Sequence, residues 1–302
     1  VDCWPLDLSS QDVEEDQHLG VFTVLRLVKA LAEHDSVTSR LYLVTANAQP
    51  APGTAVPAAD QAALWGLGRV IGHQELSERW GGLIDIDDTN DTNERAEIAT
   101  RICEHLLEGG PEDQVAIRGR TTYVPRRRPC AGLTRPFPTK LTPDGTYVVT
   151  GGAGALGRVV ATYLAERGAR HITLLGRTAL PPRSRWSELS DGDPHFATVS
   201  TIHAIERLGV QIATASVDIA DRDQVTTWLA NHLREGGRPV RGIVHAAGSV
   251  NDQLLVNMSE ADFAAVLAPK ITGTRVLHEA FKDHDLEFFV MFGSAGSTID
   301  RK

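Results

Sequence analysis

Eight residues near the middle of the chain, Thr150-Gly151-Gly152-Ala153-Gly154-Ala155-Leu156-Gly157, join the end of an apolar run to the start of a helical pattern through a string of small side chains. Small residues let a backbone come close to a pyrophosphate, and a helix N-terminus adds N–H donors and the positive end of a dipole. In strand, turn and helix context this is a dinucleotide fingerprint, with Gly151, Gly152, Ala153, Gly154 and Leu156 as candidate cofactor-binding positions. The alternative is a glycine-rich turn that binds nothing. About 20 residues past Gly157 stands Arg177, where a site for NAD would place Asp or Glu against the ribose 2′-hydroxyl. A guanidinium there matches a 2′-phosphate through paired hydrogen bonds and argues for NADP(H); a solvated surface arginine is the plainer alternative. Asp218, ending the next strand, reads either as an acceptor for an adenine amino group or as a helix cap, a role open to Asp221 as well.

These residues need a scaffold that brings strand ends to one edge. From Tyr147 onwards the pattern alternates strictly: strands Tyr147 to Thr150, Ile172 to Leu175, Val210 to Ala215, Gly242 to His245 and Glu287 to Phe292. Helices are expected at Arg158 to Arg167, Thr201 to Leu208, Arg222 to Leu233 and Ala261 to Phe281. Strands too apolar to have a wet face predict an α/β, doubly wound parallel sheet of the Rossmann type. The stretch Pro181 to Pro194 interrupts the rhythm and reads as a surface loop.

The first half also reads as strands and helices but has no phosphate-binding loop. Leu41 to Thr45, Gly82 to Ile86 and Val115 to Ile117 are strand-like, and Gln61 to Gly72 and Glu94 to Leu107 have helical spacing. A smaller, chemically quiet α/β unit is expected, with Trp65 and Trp80 in its core. The expected organisation is residues 1–130 as this unit, 131–145 as a Pro- and Arg-rich linker, and 146–302 as the nucleotide-binding unit.

Composition narrows the function classes. The 302 residues carry 30 Lys and Arg against 39 Asp and Glu, a net charge of −9 that disfavours a nucleic-acid partner. No apolar run is long enough to span a membrane. Cys3, Cys103 and Cys130 form neither a disulfide framework nor a metal set, so no metal and a reducing, cytoplasmic setting are expected. The chain begins at Val1 in what reads as mid-domain sequence, as a piece of a longer protein would.

Six motifs in order carry a family resemblance. They are Tyr147-Val148-Val149-Thr150-Gly151-Gly152, Leu174-Leu175-Gly176-Arg177, Val217-Asp218-Ile219-Ala220-Asp221, Val244-His245-Ala246-Ala247-Gly248, Pro269-Lys270-Ile271-Thr272-Gly273 and Phe292-Gly293-Ser294-Ala295-Gly296. Together they resemble the short-chain dehydrogenase/reductase group, and within it the ketoreductase domains of polyketide synthases. The first half resembles the truncated, non-catalytic subdomain of the same domains through Leu41-Tyr42-Leu43-Val44-Thr45, Ala63-Leu64-Trp65-Gly66-Leu67-Gly68-Arg69 and Arg79-Trp80-Gly81-Gly82-Leu83-Ile84-Asp85.

The resemblance implies NADPH-dependent reduction of a β-ketone on an acyl chain tethered to an acyl carrier protein by phosphopantetheine, beside neighbouring synthase domains. It matches Ser294 to the serine that hydrogen-bonds the carbonyl oxygen and Lys270 to the catalytic lysine, and adds Ala246 and Ala247 to the cofactor set. His245 is expected to shape the crevice rather than to act as a base. Without the family, Lys270 reads as a surface lysine and Ser294 as a turn residue.

Two departures stand out. The family's proton-donating tyrosine falls about thirteen residues after the serine, beyond Lys302, so the completed site is expected in a longer parent. The family's Leu-Asp-Asp motif is Val250-Asn251-Asp252 here; Asp252 is retained and Ile299 stands where the opposite stereochemical class has Trp, which leans the expected product to the D-hydroxy form. Two other readings remain: a non-reducing scaffold within a synthase, and a reductase of free metabolites, for which the companion unit has no obvious use.

Overall fold

The computed structural model describes residues 17–34, 39–56, 58–127, 129 and 141–294. The chain divides into two compact units, one of Val1–Cys130, Asp252–Glu260 and Ser294–Lys302, the other of Ala131–Asn251 and Ala261–Gly293.

In the first unit a helical turn, His18–Phe22, runs into α1 (Thr23–Glu33), which buries Val24, Leu25 and Val28. Then come β1 (Leu41–Ala46), α2 (Ala62–Val70), β2 (Trp80–Ile86), α3 (Thr92–Glu108), β3 (Gln114–Arg118) and β4 (Thr121–Tyr123). The sheet order is β1-β2-β3-β4, parallel except for the last pair. Trp65 is buried and its Nε1–H donates to Thr45, whereas Trp80 is half-buried with its Nε1–H on Asp113. The segment Asp252–Glu260 belongs here through Glu260, whose carboxylate takes two hydrogen bonds from Arg26, and through Lys29 on the Met258 carbonyl.

The second unit is the expected doubly wound sheet. Its elements are β5 (Thr146–Thr150), α4 (Ala155–Glu166), β6 (His171–Gly176), α5 (Phe196–Glu206), β7 (Gln211–Ser216), α6 (Arg222–Arg234), β8 (Val240–His245), α7 (Glu260–Lys270), α8 (Thr272–Phe281) and β9 (Phe288–Met291). All pairs are parallel in the order β7-β6-β5-β8-β9. Every residue of β5 is buried, as a central strand covered on both faces requires. Tyr147 and Val149 join one core with Leu164, Ile172 and Ile202, while Val148 faces the other with Val225, Ile243 and Phe281. The order reverses beside β5, so its carboxyl end, between β6 and β8, is the switch point where such sheets hold ligands.

Three expectations need correction. The helix read as continuous from Ala261 to Phe281 is two helices, parted at Ile271 just after Pro269, which has no N–H to give the ladder. The Thr201 helix starts five residues earlier, at Phe196. The Pro181 to Pro194 stretch holds a short 3₁₀ helix, Arg183–Glu188, whose Trp186 is buried in the core of the unit. Ten of the linker's residues, 131–140, and the positions Cys3, Cys130, Ala295, Gly296 and Ile299 lie outside the described residues.

Candidate active site

The glycine loop leaves β5 at its carboxyl end and turns into α4. Gly151 sits at φ +66°, and a Cβ there would lie 2.8 Å from Ala247 Cα and 2.9 Å from the Ala246 carbonyl. A Cβ on Gly157 would lie 2.3 Å from the Gly151 carbonyl, and one on Gly152 would lie 2.6 Å from Leu174 Cβ. The three glycines thus serve a left-handed turn, helix packing on the loop, and strand contact. Gly154 caps α4 with no side chain to bond the first-turn N–H groups, and residues 153–156 are exposed. The Ala153 carbonyl is held from outside the loop by Thr198 Oγ1 at 3.0 Å and Arg158 Nη1 at 2.8 Å, while Gly154 N–H donates to the Gly151 carbonyl at 2.9 Å. An exposed, uncapped helix start beneath a small-residue turn fits a pyrophosphate.

Arg177 follows β6 directly and is exposed, and its guanidinium has no hydrogen bond or ion pair among the described residues. Its backbone carbonyl accepts from Ser216 Oγ at 2.7 Å, which ties the ends of β6 and β7 together. Beside it a cavity of about 120 Å³ is lined by Ala153 and Gly176 and by Thr178, Thr198, Thr214 and Ser216, four hydroxyl side chains to which the sequence reading assigned nothing. The capping alternative for Asp218 goes instead to Asp221, which accepts from the N–H groups of Asp223 and Gln224. The Asp218 carboxylate accepts from Ala220 N–H at 2.9 Å.

Across the sheet reversal, Ala246 N–H donates to the Thr150 carbonyl and Ala247 N–H to Thr150 Oγ1 at 3.3 Å. His245 is almost fully buried, with Nδ1 2.7 Å from Thr150 Oγ1 and Nε2 2.9 Å from the Pro269 carbonyl. Burial first, and then the Lys270 charge, hold its pKa below the ordinary imidazole value. Both nitrogens are engaged, so the ring is part of the crevice wall rather than a free base.

Lys270 ends α7. Its Nζ donates to the Phe292 carbonyl at 3.0 Å, and partial burial lowers its pKa. Its stem runs over Gly248, where a Cβ would come 2.9 Å from Lys270 Cε. The second unit therefore gathers Gly151, Thr150, His245, Ala246, Ala247 and Lys270 at one sheet edge. Ser294, two residues past Phe292, and Asp252 are both exposed and fall in the other unit. Thr150, Gly248 and the Phe292 carbonyl are the parts of this cluster that sequence reasoning did not assign. Among the described residues no group of three His, Cys, Asp or Glu side chains is placed to hold a metal, and no helix is long and apolar enough to cross a membrane.

Comparison with known proteins agrees with this fold. A family model described as "KR domain" matches residues 145–302, and one described as "Polyketide synthase extender module SpnB, Rossmann fold domain" matches residues 1–126. A phenolphthiocerol/phthiocerol polyketide synthase of Mycobacterium tuberculosis is 36% identical over 272 residues, covering 89% of this chain and 14% of the relative. A 6-methylsalicylic acid synthase of Arthrobotrys oligospora is 36% identical over 296 residues, covering 96% of this chain and 16% of that protein. The chain thus spans about one seventh of the length of these relatives. Among solved structures, "A-type Ketoreductases from Modular Polyketide Synthase" superpose with a TM-score of 0.76 at 33% identity, over 94% of this chain and 56% of the other.

Proposed function

The chain belongs to the ketoreductase (KR) domain family, enzymes of the short-chain dehydrogenase/reductase superfamily, and from that premise we propose that it reduces the β-keto group of a carrier-protein-bound acyl chain, as one domain of a multidomain synthase. Membership in the family implies NADPH, which when bound supplies the hydride. Residues 146–302 are the catalytic part of this reading, 131–145 a linker and 1–130 a non-catalytic companion. The acyl carrier protein and neighbouring synthase domains are its partners.

The observation that carries the reading is the joint presence, at the carboxyl edge of one sheet, of the exposed glycine loop and of Lys270, whose Nζ is held on the Phe292 carbonyl. The N–H groups of Ala153, Ala155 and Leu156 would hold the pyrophosphate, Arg177 the 2′-phosphate and Asp218 the adenine amino group, with Ala246 and Ala247 flooring the crevice. Hydride addition to the carbonyl carbon builds negative charge on its oxygen, which the family's tyrosine, expected about thirteen residues after Ser294, would protonate to give the hydroxyl. Ser294 would donate its Oγ–H to that oxygen, and the Lys270 ammonium, held on the Phe292 carbonyl, adds positive charge to the same edge.

Binding titrations with NADPH and NADH, followed by nicotinamide fluorescence, test the cofactor assignment. NADPH should bind at least about tenfold more tightly, and Arg177→Asp should abolish the difference, the loss of a paired phosphate contact being worth about 1.5–3 kcal/mol. Equal affinity of the unaltered chain for both nucleotides would refute it.

A further inference from the structure

Lys270 closes a helix whose last turn cannot close itself. Pro269 has no N–H, so the Ala265 carbonyl one turn earlier lacks its helical donor; Ser249 Oγ donates to it instead at 3.1 Å. The Pro269 carbonyl lies at the helix C-terminus, where acceptors have no partner within the helix, and His245 Nε2 reaches it at 2.9 Å. The two side chains flank Ala246-Ala247-Gly248, and Gly248 is the residue over which the lysine stem passes. One five-residue segment therefore holds the α7 end at two points and leaves room for the lysine between them.

The hydrogen bonds also fix which proton the imidazole carries. A carbonyl only accepts, so Nε2 bears the hydrogen towards Pro269. In the neutral ring Nδ1 then accepts the Thr150 hydroxyl, whose oxygen in turn accepts Ala247 N–H. A continuous chain of donors thus runs from the floor beside the glycine loop to the carbonyl adjoining Lys270.

We propose that His245 and Ser249 are positioning residues for Lys270: His245 anchors the carbonyl one residue before it, and Ser249 takes the acceptor that Pro269 leaves open. The importance of this arrangement rests on the reductase reading, but its test does not. The chain has five lysines, so protein labelled with ¹³C at lysine Cε gives few signals, and that of Lys270 is identified by its loss in Lys270→Arg.

In the unaltered chain the Lys270 signal should titrate below the ordinary lysine value. His245→Leu should move it towards the ordinary lysine value, His245→Gln, which keeps an N–H for the Pro269 carbonyl, should restore most of the displacement, and Ser249→Ala should shift it part of the way. A folded His245→Leu protein with the Lys270 signal and titration unchanged overturns the proposal. So does an unchanged signal in Ser249→Ala, which carries the test if His245→Leu does not fold. In turnover by the full-length protein, His245→Leu should lower kcat about tenfold or more on its own and add nothing in a Lys270→Ala background, as coupling through one residue requires; an equal loss in both backgrounds also overturns it. The spectra need neither cofactor nor turnover, so failure to bind NADPH would refute the reductase reading separately.

Discussion

Single residues at the sheet edge make the sharpest predictions. Gly151 combines φ +66° with a Cβ position blocked by backbone on the neighbouring strand end. Gly151→Ala should cost about 1–2 kcal/mol from left-handed strain alone and weaken NADPH binding more than it lowers the unfolding midpoint; unaltered affinity in a titration would contradict the close-approach role. His245 gives a pH effect. Its pKa is depressed in the folded chain, so the unfolded chain binds the extra proton first as pH falls. The stability it contributes is full above the ordinary imidazole value and is lost as pH drops through that value towards the folded one. Urea unfolding from about pH 7.5 to 5 should therefore show a steeper loss for the unaltered chain than for His245→Gln. The glycine turn was legible because a motif specifies small residues between strand and helix, while the roles of Arg177 and Lys270 belong to the proposed function. The Phe292 carbonyl was not, since a backbone acceptor carries no side-chain identity, and Thr150 was read only as the end of a strand.

At the scale of elements, alternation of apolar runs located the strands of the second unit to within a residue or two, because buried parallel strands tolerate few polar positions. Helix boundaries were less legible. Pro269 stands in the final turn of α7, and its effect became plain only once the chain was seen to part at Ile271. The segment after β6 shows how composition misleads: its prolines and acidic residues suggest a solvated loop, yet Trp186 packs in the core. Trp186 donates to the Pro181 carbonyl at 2.7 Å and meets His203 edge to face. Trp186→Ala should thus cost about 3 kcal/mol or more, read by denaturant unfolding, where a surface loop would lose almost nothing. The short β4 and the helix at Thr23–Glu33 passed unnoticed, the first for its length and the second for lack of a capping signal.

Across the whole molecule, the two sheets share parallel strands but finish their carboxyl edges differently. Where the second unit has glycines, the first has Asp85, fully buried, accepting from Thr45, from the N–H groups of Ala48 and Gln49 and from Arg118. Asp85 and Arg118 thus tie the loop after β1 to the ends of β2 and β3. Asp85→Ala should cost about 3–5 kcal/mol by leaving a buried guanidinium short of its partner, seen as lost hydrogen-exchange protection in β1 to β3, and protection unchanged there would contradict it. The proposed reaction is hydride transfer to a carrier-bound β-ketone. The direct measurement is mass spectrometry of a β-ketoacyl carrier protein after incubation with the full-length protein and NADPH deuterated at the transferred position. The expected result is a β-hydroxyacyl product carrying one deuterium on the β-carbon; a β-ketoacyl chain recovered unreduced, with the folded protein binding NADPH, would refute the proposed reaction.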